Sequence, residues 1–265
     1  MSVLETTDAA APVLVRADGA AARITLNRPA QRNALSLDVM AEMTAALRRL
    51  GAERDVRAIV IAGEGPAFCA GHDLGEMVGR DIAFYQRLFD GCTELMQAIH
   101  DVPQPVIARV HATATAAGCQ LVAACDLAVA ADTARFATPG VKIGLFCSTP
   151  MVPLSRAVGR KRALEMLLTG TPIDAQTARE WGLVNHVVPA VDLDAAVGAL
   201  VDAIAASSSL TVGIGKRAFY DQIDLDEGRA YDLMGTVMSM NMLTADAQEG
   251  ICAFLEKREP HWTGQ

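Results

Sequence analysis

Residues 114–126 read ATAAGCQLVAACD, and the fold turns on how this stretch is placed. Five small residues, Ala114 to Gly118, run into Cys119, Gln120 and an apolar pattern with helical spacing. Small side chains at a helix start let another group approach backbone N–H groups that lack acceptors inside the helix. The first polar side chain beyond them is Gln120, a neutral amide that neither releases nor takes a proton at ordinary pH.

Working outward, QPVIARV (104–110) reads as a buried strand, and LAVAAD (127–132) and ARFATP (134–139) as short ones. The residues HATATAAG between strand and helix read as a loop. The same unit precedes it. VRAIVIAG (56–63) is a strand, EGPAFCAG (64–71) a loop, and Asp73 caps a short helix, LGEM, ahead of a longer one ending near His100. At the start, VLVRADGAAARITLN (13–27) alternates about Asp18–Gly19 as a hairpin. RPAQRNALS is a polar loop, and Ser36 caps a helix that stops at Gly51. Later come a helix near Pro150, RKRALEMLLTG with Gly170 as its stop, the short helix IDAQTAREWG, and the strand LVNHVVP. From Asp192 the pattern is helical almost to the end. These units define an α/β chain with three parts: a loose tail over 1–11, a core of strand–strand–helix units over 12–205, and a helical region over 206–265.

The 265 residues suffice for one large core. A 51% apolar and 20% charged composition is that of a soluble globular chain, with few aromatics, 5%, so the core is aliphatic. The net charge of −8 argues against nucleic-acid and membrane-surface partners. No uncharged apolar run is long enough to span a bilayer, and MSVLETTDAAAP lacks the basic-then-apolar order of a secretory signal. Six scattered cysteines form no CxxC and no Cys/His cluster, so no metal is expected, and the compartment expected is a reducing cytoplasm. Cys119 and Cys125 read as core residues. GxGxxG, GKS/GKT and GxSxG are absent.

Five blocks in order, ITLNRPAQRNALS, AFCAGHDLGEM, the long run from Pro103 to Leu145, RAVGRKRALEMLLTGTPIDAQTAREWGLVNHVV and GICAFLEKREPHW, resemble the crotonase (enoyl-CoA hydratase/isomerase) superfamily. The resemblance spans about Val13 to Arg258. It implies a (ClpP-like) spiral of repeated ββα units with a C-terminal helical region that assembles a homotrimer or dimer of trimers. It implies an acyl-CoA thioester as substrate or ligand, with no other cofactor. The N–H groups of His72 and Ala117 would form the oxyanion hole, where each donor would contribute roughly 3–4 kcal/mol. Ala70, His72, Asp73, Leu74 and Gly75 would wrap the CoA adenine. Arg32 is a candidate for the CoA phosphates, with an ordinary exposed arginine as the alternative. Phe254 and Lys257 match positions that reach CoA, often from a neighbouring subunit.

The two glutamates of the family's hydratases are missing. Gln120 stands at the first position and Gly140 at the second. Syn addition of water needs one group to accept a proton and one to return it, and neither residue does so. Together these replacements resemble one subgroup of the superfamily, the enoyl-CoA hydratase domain-containing protein 3 type. Three readings stay open: lyase-type chemistry through an enolate, a protein that binds acyl-CoA or acts as a scaffold without turnover, and a decarboxylase using His72, since family decarboxylases carry a His in the same setting. Cys147 and Ser148 are candidates for the acyl pocket.

Overall fold

The structure, a computed structural model, describes residues 5, 6 and 8–265. The expected hairpin is present: β1 (Val13–Asp18) pairs antiparallel with β2 (Ala21–Leu26), turning at Gly19 with φ +62°. Part of the expected 1–11 tail, residues 1–4 and 7, lies outside the described residues. Thr6, within it, is tied to β1, donating from its N–H to Val15 O at 2.9 Å.

Helix α1 (Leu37–Gly51) starts where Ser36 Oγ accepts from Val39 N at 3.2 Å. It buries Val39, Met40, Met43, Ala46, Leu47 and Leu50, a stripe at helical spacing. Next come β3 (Ala58–Gly63), β4 (Ala67–Cys69), the single turn α2 (Leu74–Met77) and α3 (Ile82–Asp101). β5 (Val106–Val110), β6 (Thr113–Thr115) and α4 (Ala117–Ala124) repeat that order, followed by β7 (Leu127–Ala131), β8 (Arg135–Ala137), α5 (Ser148–Val158) and α6 (Arg160–Thr169). α6 stops at Gly170, which takes a left-handed φ of +58° and returns its N–H to Met166 O. β9 (Ile173–Asp174), α7 (Ala175–Trp181) and β10 (His186–Val188) close the core, and α8 (Leu193–Ala205) covers it.

Each turn of the chain gives one strand to each of two sheets. β3, β5 and β7 join a six-stranded sheet, ordered β1-β2-β3-β5-β7-β10, parallel beyond the hairpin. β4, β6 and β8 join a four-stranded sheet, ordered β4-β6-β8-β9. This is the expected ββα spiral. β6 lies inside a segment read as loop, because three small residues carry no alternation to read. A continuous apolar core runs through both sheets and α1, α3 and α4, including Leu35, Leu47, Ile59, Phe68, Cys119 and Phe136. Each large side chain there contributes about 1.5–3 kcal/mol on burial.

Three helices follow: α9 (Ser209–Gln222), α10 (Glu227–Met242) and α11 (Ala245–Glu256). They bury little in this chain: Ala218 in α9, nothing in α10, and Asp246 and Ala253 in α11. Polar latches hold them. Lys216 Nζ donates to Ile99 O and Gln104 O and pairs with Asp126 at 2.7 Å, while Tyr220 Oη donates to the other Asp126 oxygen, also at 2.7 Å. Asp246 accepts from Ser208 Oγ and from the N–H groups of Thr263 and Gly264, which folds the C-terminal residues back onto α11. Among the described residues no single helix is long and apolar enough to cross a membrane.

Candidate active site

The entry to α4 is strained. Ala116 has φ +50° and ψ −119°, a region L-residues rarely occupy. It is held there by its N–H to Ala137 O at 2.9 Å and by Gln120 N donating to its carbonyl at 3.0 Å. Ala117 is then the first residue of the helix, so its N–H has no intrahelical acceptor, and it takes no other one among the described residues.

His72 reaches the same place by a different device. Leu35 N donates to Gly71 O at 2.8 Å and Asp73 N to Leu35 O at 3.0 Å. These bonds straddle His72 in a parallel bridge, so its own N–H and C=O face away from Leu35. Gly71, at φ +95°, joins the two halves. A Cβ on Gly71 would stand 2.8 Å from Ala116 Cβ and 3.2 Å from Ala117 N. The absence of a side chain at Gly71 therefore lets residue 71 pack closely against Ala116 and Ala117, which brings the main chain at residues 72 and 117 near one another. Gly118 is needed for close packing, since a Cβ there would lie 2.2 Å from Cys69 O.

The 70–75 loop is bound on both sides. Ala70 N donates to Arg32 O at 3.0 Å, and Thr115 Oγ1 donates to Ala70 O at 3.0 Å. Asp73 caps α2 through Gly75 N at 3.1 Å and also takes Arg28 at 3.3 Å. Leu74 and Gly75 are exposed. The Arg32 side chain is exposed and makes no ion pair among the described residues, although its backbone sits against the loop. Phe254, 82% exposed on α11, and Lys257, the left-handed cap of α11, are joined to this loop by no hydrogen bond or ring contact among the described residues. An open groove of about 770 Å³ beside β1 and β2 is lined by Arg16, Arg23 and Asp194 among others and by none of residues 70–75, 254 or 257.

Gln120 is buried, 4% exposed, and its Oε1 accepts from Cys92 Sγ at 3.7 Å. Gly140 has no room for a side chain. A Cβ there would meet Leu145 O at 2.0 Å and Cys147 Sγ at 2.8 Å, and the Gly140 N–H donates to that sulfur at 3.4 Å. Burial pushes the Cys69, Cys92 and Cys119 thiols up to about 12 and raises Cys147 too, so none is poised as a thiolate nucleophile. The His72 ring meets Phe89 edge-on, centroids 5.6 Å apart, and both ring nitrogens are sealed without a partner. Sequence reading missed Arg28, Phe89, Cys92 and Asn33. Asn33, buried with φ +57°, donates to the carbonyls of Glu64, Ala67 and Phe68 and accepts from Arg28 N. Only its tolerance of left-handed backbone was a local signal.

Burial lowers the pKa of His72 below its ordinary 6.5, and does the same to His100. Between those lowered values and 6.5 the unfolded chain holds more protons than the folded one. The stability these groups give is complete above 6.5 and is lost as pH falls below it. The urea midpoint is expected to decline below about pH 6.5, less steeply in His72→Leu. An identical slope in that variant would refute the assignment.

Comparison with known proteins fits this geometry. The sequence model of the enoyl-CoA hydratase/isomerase family matches residues 16–265. The mitochondrial enoyl-CoA hydratase domain-containing protein 3 of Homo sapiens is 47% identical over 91% of this chain and 80% of its own length; that of Rattus norvegicus is 46% identical with the same coverage. The crystal structure of the human protein superposes with a TM-score of 0.93 at 45% identity, covering 95% of this chain and all of that one. An enoyl-CoA hydratase from Mycobacterium smegmatis superposes with a TM-score of 0.93 at 50% identity, covering 95% and 99%. The cytoplasmic expectation is corrected by these names, since five vertebrate relatives are mitochondrial proteins. Unpaired cysteines report a reducing surrounding and not which compartment supplies it. By sequence and by fold, the chain belongs to the enoyl-CoA hydratase/isomerase, or crotonase, family.

Proposed function

We propose that this chain binds acyl-CoA thioesters, polarises the thioester carbonyl with the N–H groups of His72 and Ala117, and is a poor hydratase. The observation that carries the reading is the close packing of Gly71 on Ala116 and Ala117, beside the N–H groups of His72 and Ala117, which find no acceptor among the described residues. An enolate or tetrahedral adduct places negative charge on one oxygen, and fixed donors at a helix start stabilise it without reorganising. Ala70, Asp73, Leu74 and Gly75 are assigned to the CoA nucleotide, with Arg32 for its phosphates. Phe254 and Lys257 are assigned to the CoA of a neighbouring subunit in a homotrimer or dimer of trimers. The exposed apolar side chains Phe219, Met238, Met240, Leu243 and Leu255 support such an assembly.

The hydratase name of the relatives is not carried over as an efficient activity. Gln120 has no proton to exchange, and position 140 has neither a carboxylate nor space for one. Crotonyl-CoA hydration is expected at least about 100-fold below that of a two-glutamate enzyme. Gln120→Glu with Gly140→Glu is expected not to restore it, because the Leu145 carbonyl occupies the new Cβ position. Turnover comparable with a two-glutamate enzyme, in either protein, would overturn this reading. The same closure at Gly140 supports a second reading, acyl-CoA binding without turnover, which tight ester binding with no product would establish. Burial favours a neutral His72 ring, which gives little support to decarboxylation. CO2 release from methylmalonyl-CoA, lost in His72→Ala, would establish it instead.

A further inference from the structure

We infer that His100, Asp126, Lys216 and Tyr220 together position the Ala117 N–H: they clamp the far end of α4, so that the aim of the donor at its start depends on how α9 is docked. This rests on the oxyanion reading above, in which the Ala117 N–H meets the thioester oxygen. α4 holds only the eight residues Ala117–Ala124, and at 1.5 Å per residue it is about 12 Å long. A rod so short moves as one piece. Its side chains, Gln120 excepted, are apolar, and apolar packing holds surfaces together without fixing direction. Direction must come from hydrogen bonds. Ahead of the helix, Ala116 N donates to Ala137 O at 2.9 Å. Beyond it, four polar side chains converge.

His100, near the end of α3, meets Ala124 O with its Nε2 at 2.9 Å; a carbonyl only accepts, so this nitrogen carries the ring proton and donates. Ala124 is the last residue of α4, and its carbonyl is one that the helix itself leaves without a donor. Two residues on, Asp126 takes Val106 N of β5 at 2.6 Å, Lys216 Nζ at 2.7 Å and Tyr220 Oη at 2.7 Å. Lys216 and Tyr220 are four positions apart on α9 and share one face of it. The same face stacks Tyr220 on the His100 ring, centroids 3.9 Å apart and planes within 15°, and sends Lys216 to Ile99 O and Gln104 O at the end of α3. The ends of α3 and α4, the start of β5 and the middle of α9 thus meet in one cluster. α9 buries only Ala218 in this chain, so the bonds that dock α9 are the bonds that hold the far end of α4. A misplacement of about 1 Å arising far from the reacting atoms can cost on the order of 100-fold in rate.

The test is the thioester carbonyl stretch of butyryl-CoA bound at saturation, read by difference infrared spectroscopy well below the melting temperature of each protein. The unmodified protein should lower the stretch from its solution value. His100→Leu should lose about half of that lowering, since one of two donors loses its aim, while CoA affinity stays constant. His100→Gln, whose amide can still donate to Ala124 O, should restore it. Tyr220→Phe keeps the ring stack and loses one bond to Asp126, so it should give a smaller loss than His100→Leu, and it serves alone if His100→Leu does not fold. Ser208→Ala loosens the start of α9 and its tie to Asp246 without touching Asp126, and should leave the stretch where the unmodified protein has it. These are positioning residues, and a carbonyl frequency that follows the hydrogen bond to Ala124 is a result that general loosening would not give. An unchanged stretch in the folded His100 and Tyr220 variants, or an equal change in Ser208→Ala, would overturn this inference and leave the oxyanion reading standing. No lowering in the unmodified protein would overturn that reading, and this inference with it.

Discussion

Gly71→Ala is expected to abolish carbonyl polarisation and to cost at least about 1,000-fold in any enolate-forming turnover of an acyl-CoA. The new methyl would sit 2.8 Å from Ala116 Cβ and 3.2 Å from Ala117 N, so it would push apart the two stretches of main chain that carry the proposed donors. Loss of one such donor costs roughly 10²–10³-fold in measured systems, and this substitution displaces the oxygen from two. The backbone at φ +95° adds strain of its own, so melting temperature and affinity for CoA itself must be measured alongside. The direct readout is difference infrared spectroscopy of a bound acyl-CoA. The unmodified protein should lower the thioester carbonyl stretch, and the folded variant should leave it at its solution value. Equal lowering in both would remove His72 and Ala117 from the role given to them.

Lys216→Met is expected to destabilise the helical region by about 3–5 kcal/mol. Lys216 and Asp126 are 6% and 14% exposed and 2.7 Å apart, and Asp126 also takes Val106 N and Tyr220 Oη. Methionine preserves the stem and its packing but leaves a half-satisfied carboxylate and two main-chain carbonyls, of Ile99 and Gln104, without their donor. Since α9 to α11 bury so few apolar residues in the chain itself, the loss should be local. Hydrogen exchange is expected to quicken across 209–256 while β3 and β5 keep their protection. Unchanged exchange in 209–256 would show that apolar contacts, not this ion pair, hold the helices.

What the sequence made legible was whatever is encoded within a few residues. Ser36, Asp73, Gly51 and Gly170 mark helix ends by local capping chemistry, and all four mark ends in the structure. The apolar runs of β3, β5 and β7 are long enough to read, but β6, three residues of Thr and Ala, is not. The division of each strand pair between two sheets depends on pairing partners some 50 residues apart. The same limit applies at the site. The small-residue entry at Ala116 and Ala117 could be read locally. The Cys92–Gln120 contact, 28 residues apart in the chain, and the Phe89–His72 contact could not, because on α3 both residues look like ordinary core. The fold's overall identity came from five ordered blocks, none of which would have sufficed alone.

The crowding at Gly140 also bears on history and on engineering. Glycine and glutamate codons can differ by a single base, so a lost carboxylate at this position looks recoverable in one mutational step. Packing closes that path: the Leu145 carbonyl stands 2.0 Å from where the new side chain would begin. Any return must first move the turn that carries residues 140–147, and only then change the residue, so the intermediate gains nothing by itself. A directed-evolution search for hydration from this scaffold is therefore expected to succeed by reshaping that turn or by placing a base elsewhere, and to stall if confined to single substitutions at 140.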